Sequence, residues 1–120
     1  MSDDEDWSVR RSLVLLDQLE SRRYRSRRTR IEARIDELLK EPLRAARSER
    51  LRHQFAGLRS ARVGDATRLI YRVCQECRQL GEQERLPLDC CVNNATADRT
   101  INLLCLSEHY ADMPLAFDFD

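Results

Sequence analysis

With 120 residues, 35% of them charged and 42% hydrophobic, the chain can build one core and is too apolar for wholesale disorder. No apolar run approaches the roughly 20 residues that cross a bilayer, and the start MSDDED lacks the features of an export signal, so a cytoplasmic protein without a membrane partner is expected. The zero net charge conceals an asymmetry: residues 8–72 carry 18 Lys and Arg against 8 Asp and Glu, residues 1–7 carry four acids and no base, and residues 73–120 carry nine acids against three arginines.

A basic body between acidic ends points to a polyanionic partner, with solvated helix faces as the plainer account of the RRYRSRRTR run. Along the chain, Val9, Leu13 and Leu16, with Leu15 and Leu19, fit one face of a first helix, for which Ser8 is a suitable N-cap. Tyr24, Ile31, Ile35, Leu38 and Leu39 mark a second helix that Pro42 ends. The polar ESRRY between them reads as the corner of a helical hairpin. The segment SARVGDATRLIYRV then reads as two strands around a Gly64-Asp65 turn. In the second of these, Leu69, Tyr71 and Val73 alternate with Arg68, Ile70 and Arg72, giving an apolar face and a face that bears arginines. TINLLCL, with Cys105 inside it, suits a central strand covered on both sides. The expectation is a single α+β domain over 1–120: an N-terminal helical hairpin packed on one face of a small twisted antiparallel sheet. Residues 1–6 form an acidic tail, 74–98 a cysteine-bearing hairpin insertion and 111–120 a C-terminal extension.

Within the insertion, Cys74 and Cys77 form a CxxC, and Cys90 and Cys91 follow. Four thiolates brought together could hold a structural zinc ion. Adjacent cysteines on a strand point to opposite sides, which weighs against a shared metal, so buried free thiols and a redox pair stay open. His109 and Tyr110 close the last strand, either as ordinary surface residues or as chemistry at the rim of a sheet.

The stretch SERLRHQFAGLRSARVGDATRLIYRV followed by INLLCLSEHY resembles the RelE/ParE superfamily of toxins from type II toxin–antitoxin systems, and in particular the YoeB-type mRNA endoribonucleases. Glu49-Arg50-Leu51-Arg52-His53 matches that family's Glu-x-Leu-Lys-His segment, with Arg52 in place of lysine. RSARV matches its aromatic-Ser-Arg-Arg strand, with Arg59 in place of tryptophan. RLIY at 68–71 and His109-Tyr110 match the remaining two motifs. The resemblance implies a RelE-like, microbial-RNase-type fold and metal-independent cleavage of mRNA on the ribosome, leaving a 2′,3′-cyclic phosphate. In it Glu49 is the general base, Arg68 stabilises the phosphate, His109 is the general acid and Tyr110 orients the substrate. Arg52 and Arg62 are supporting cations. Beside the resemblance, Arg59, whose guanidinium can stack on a base, and Arg72, on the arginine-bearing strand face, are expected as further RNA contacts. The resemblance also implies a cognate antitoxin as partner and leaves homodimerisation open. The alternatives are a ParE-like gyrase-binding toxin, which lacks the acid/base pair, and a non-catalytic zinc-stabilised module that binds nucleic acid or protein.

Overall fold

The computed structural model describes residues 7–43, 48–51, 57–64, 66–79 and 99–108, with the backbone alone at 77–79. In chain order it contains a strand β1 (Ser8–Arg11), a helix α1 (Leu13–Glu20) and a 3-10 turn (Arg25–Arg27) that runs into α2 (Arg28–Lys40). Three strands follow, β2 (Ser48–Arg50), β3 (Arg59–Arg62) and β4 (Arg68–Val73), then a short helix α3 (Cys74–Gln79) and a last strand β5 (Thr100–Ser107). The strands make one sheet in the order β1-β5-β4-β3-β2. Three of its ladders are antiparallel, and β1 runs parallel to β5, so the expected all-antiparallel sheet is corrected at one edge.

That edge is also where the helical reading of the N-terminal segment fails. Residues 8–11 pair with Thr100–Leu103 instead of winding into a helix. Val9 and Leu13, at helical spacing in the sequence, are both 40% exposed and belong to no buried stripe. The cap is Ser12, not Ser8. Its Oγ accepts from the Leu15 amide at 3.0 Å and donates to the Leu104 carbonyl, so one hydroxyl starts α1 and ties it to β5. Loss of such a cap typically costs about 1 kcal/mol. The second helix matches its pattern from Ile31 on: Ile31, Ile35 and Leu38 are buried at i, i+4 and i+7, and α2 stops two residues before Pro42, whereas Tyr24 lies outside α2, buried at the residue ahead of the 3-10 turn.

The side chains of both helices meet one face of the sheet. Leu15, Leu19, Ile31 and Ile35 join Ala61, Leu69, Tyr71, Val73, Ile101, Leu103 and Leu106 in a single apolar cluster. This is the face that the alternation in RLIYRV marks as apolar. The Gln18 side chain extends the ladder beyond β1, donating to the Leu106 carbonyl at 2.9 Å and accepting from its amide at 2.6 Å. Between Ile70 and Tyr71 the register with β5 shifts from Cys105 to Leu103, leaving Leu104 as an extra residue in β5.

Candidate functional site

Register decides which side chains gather on the sheet's second face. Arg62 pairs with Arg68, and Arg68 with Ser107. Glu49 pairs with Ser60, and Ser60 with Ile70. Directly paired residues project from the same side and successive residues alternate, so these two rows lie together, opposite Leu69 and Tyr71. Arg68 Nη1 lies 3.9 Å from Glu49 Oε2 and 3.5 Å from Ser60 Oγ. The Glu49 side chain is 63% exposed and that of Arg68 35%. Arg62 is exposed and Ser60 is buried. A carboxylate and two guanidiniums therefore stand side by side at an open part of the face. A long, solvated ion pair of this kind is worth about 0–1 kcal/mol, so a ligand oxygen can replace the carboxylate beside Arg68 at little expense to the fold. Glu49 takes its place on the edge strand β2, within the sheet itself.

Two of the arginines expected to contact RNA are not on this open surface. Arg72 shares the face but is 1% exposed, in a buried row where it pairs in register with Asn102. Arg59 pairs in register with Tyr71 and so belongs to the helix side of the sheet. Its Nε and Nη2 donate to the two oxygens of Glu76 on α3 at 2.7 and 2.8 Å. Its Nη1 reaches Ser48 Oγ at 3.2 Å, Ser48 lies 2.6 Å from the Tyr71 hydroxyl, and that hydroxyl donates to the Pro42 carbonyl at 2.6 Å. The hydrogen bonds that Arg59 donates to Glu76 raise its pKa above the ordinary guanidinium value, and burial raises that of Tyr71. Arg59 is thus a clamp between the sheet, α3 and the chain leaving α2, with its donors committed internally.

Glu76 is the partner that the sequence reading missed. It stands inside CQEC, where the cysteines draw attention, and only a helix beginning at Cys74 turns it toward β3. Cys74 is fully buried and its sulfur accepts from Asn102 Nδ2 at 3.3 Å. Cys77 lies one helical turn further on, its side chain outside the described residues, as are Cys90 and Cys91. Among the described residues no three metal-ligating side chains converge. Cys105 is buried in the sheet as expected, and burial pushes its thiol up to about 12. Arg52, His109 and Tyr110 lie outside the described residues. Among the described residues no helix is long and apolar enough to cross a membrane.

No protein-family model matches the sequence, and no curated protein does. Among solved structures, the chain is similar to one in the crystal structure of the toxin–antitoxin complex RelBE2 from Mycobacterium tuberculosis, with a TM-score of 0.54 and 22% identity over 88% of this chain and 100% of that one. The five-stranded sheet with its helices is therefore a fold shared with a component of that complex.

Proposed function

We propose that this chain is the toxin of a type II toxin–antitoxin pair, acting as a ribosome-dependent mRNA endoribonuclease of the YoeB kind in the cytoplasm. The observation that carries the reading is the pairing of Glu49 with Arg68, 3.9 Å apart on an open sheet surface with Arg62 in register beside them. The shared fold with a component of a toxin–antitoxin complex supports the same reading and suggests a cognate antitoxin.

The chemistry starts from what RNA brings. Its 2′-hydroxyl is the nucleophile, so the protein has to remove one proton, supply another to the departing 5′-oxygen and stabilise the charge that builds on phosphorus oxygens between those events. Glu49 takes the first proton and His109 delivers the second, each transfer typically giving about 10²–10⁴-fold. Arg68 and Arg62 present planar donors to the non-bridging oxygens, where charge grows toward the pentacoordinate state. Arg52 adds a further cation and Tyr110 orients the strand. The products are a 2′,3′-cyclic phosphate and a 5′-hydroxyl, and no step calls for a metal. A zinc ion on Cys74, Cys77, Cys90 and Cys91 would be structural in this scheme, supported by the i, i+3 spacing of the first two on α3.

The deciding assay adds purified protein to translating ribosomes and maps mRNA ends. Cleavage is expected, with Arg68→Ala and His109→Gln each removing most of it. Undiminished cleavage in both variants rejects these roles. Intact mRNA together with inhibited gyrase would assign the chain to the non-nucleolytic toxins instead.

A further inference from the structure

Residues 22–30 hold six arginines, and no acid occurs between Glu20 and Glu32. The segment covers the corner after α1, the 3-10 turn and the first turn of α2. Helix energetics do not explain it. The first turn of α2 contains Arg28 and Arg30 and no acid, and no side chain caps it. Cations at that end oppose the helix dipole and destabilise the helix. The positive charge is kept against the local preference of the element that carries it, a conflict expected where a ligand sets the sequence.

Its neighbours in the fold set it beside the loop that joins Arg62 to Arg68. Arg27 Nη1 reaches Thr67 Oγ1 at 3.5 Å, and Thr67 closes the loop whose two ends are Arg62 and Arg68. Arg27 and Arg30 line a small cavity of about 30 Å³ with Gly64 and Thr67 from that loop. Glu108, at the end of β5, accepts from both Arg23 and Thr67 and so holds the segment against the loop. Arg23 is thereby neutralised, and Arg28 pairs with Glu32 at 3.7 Å. Arg22, Arg25 and Arg30 are exposed and make no ion pair among the described residues. Basic side chains therefore stand on both sides of the β3–β4 loop and form a rim there: Arg62 and Arg68 at its two ends, and Arg27 and Arg30 of the 22–30 segment beside its Gly64 and Thr67.

We infer that this rim is a phosphate track for a single RNA strand, holding by backbone charge the part of the strand that leaves the Glu49–Arg68 site across the β3–β4 loop. The inference rests on the nuclease reading for the choice of RNA over other polyanions. It assigns work to Arg25 and Arg30, which that reading leaves unused. Contacts of this type are electrostatic and sequence-independent, each phosphate neutralised on a single strand adding about 0.7 to the salt slope of binding.

The experiment uses a fully 2′-O-methylated RNA oligonucleotide, which lacks the nucleophile, and follows its binding by fluorescence anisotropy over a salt series. Arg25→Ala/Arg30→Ala is expected to lower the slope of log K against log salt by about 1.4. The affinity lost between about 50 and about 200 mM salt then becomes about sevenfold smaller than in wild type. Arg25→Lys/Arg30→Lys should keep the wild-type slope, because the charge remains. An unchanged slope in the alanine variant overturns the inference, as does tighter binding of polyglutamate than of the oligonucleotide, which would mark the rim as a seat for an acidic polypeptide. The two proposals separate cleanly. Rim-dependent binding without any mRNA cleavage would leave the track standing and remove the nuclease, whereas Arg68-dependent cleavage with an unchanged slope would do the reverse.

Discussion

Replacing Glu76 by glutamine tests whether Arg59 is a structural clamp or a contact for RNA. The change keeps the shape of the side chain and removes its charge. In the native protein the Arg59 and Glu76 side chains are 9% and 13% exposed, and their hydrogen bonds are 2.7 and 2.8 Å long. Removing one member of such a pair strands a buried charge, which typically costs about 3–5 kcal/mol. Two features favour the lower end. The glutamine carbonyl can still accept one of the guanidinium's hydrogen bonds, and Ser48 Oγ continues to take another at 3.2 Å. Losing the ion pair of Glu76 with Arg50, whose Nε sits 3.6 Å away on a 58% exposed side chain, adds little because that guanidinium is already solvated. A loss of about 3 kcal/mol, at about 4 °C per kcal/mol for a domain of this size, lowers the melting temperature by about 12 °C. Scanning calorimetry measures it, and Arg59→Met/Glu76→Met should recover most of the loss by removing both charges. If Glu76→Gln melts like wild type and gains RNA affinity that Arg59→Ala abolishes, Arg59 is a ligand contact and the clamp is wrong.

Two further outcomes follow from individual contacts. Arg11 grips Glu32 with hydrogen bonds of 2.9 and 2.7 Å, and those bonds hold the Glu32 carboxyl below its ordinary value of 4.5. A carboxylate depressed in the folded state stabilises above its unfolded pKa and loses that contribution as pH falls through the lower folded value. Urea melts should therefore show Glu32→Gln less stable than wild type at neutral pH, with the gap closing below about pH 4.5; a gap that does not change with pH contradicts the assignment. Cys105, with its thiol near 12, should resist iodoacetamide in the native protein and react only after denaturation. Rapid native labelling of Cys105, read by mass spectrometry, would place it elsewhere than in the core.

What the sequence disclosed depends on how local each determinant is. The alternation of Leu69, Tyr71 and Val73, the stripe of Ile31, Ile35 and Leu38 and the stop before Pro42 are properties of neighbouring residues, and the structure shows all three. β1 was hidden because its four residues acquire a reason to be extended only from β5, far away in the chain. Ser8 and Ser12 are equally good caps in isolation, and the partner that decides between them is the Leu104 carbonyl. The open Glu49–Arg68 pair follows from register across three strands, which motif order suggests but cannot measure. Arg59 and Arg72 show the opposite limit. An arginine beside apolar residues on a strand reads as a surface cation, and only Glu76 and the enclosure of the second face reveal that both are withdrawn from solvent.

Placing β5 in the interior of the sheet, between β1 and β4, has a consequence for biosynthesis. Ser8 and Thr100 are register partners, so the closing contacts join residues 92 apart in the chain, the kind of long-range topology that folds slowly. While residues up to Gln79 are emerging, α1 and β1 lack the surface on which they settle, and β4 presents an unpaired edge. The half-finished polypeptide cannot assemble the second-face rows that end on Ser107. Any activity that depends on those rows therefore switches on only after translation has passed β5, and until then the exposed β4 edge is the point at which a nascent chain is open to misassociation.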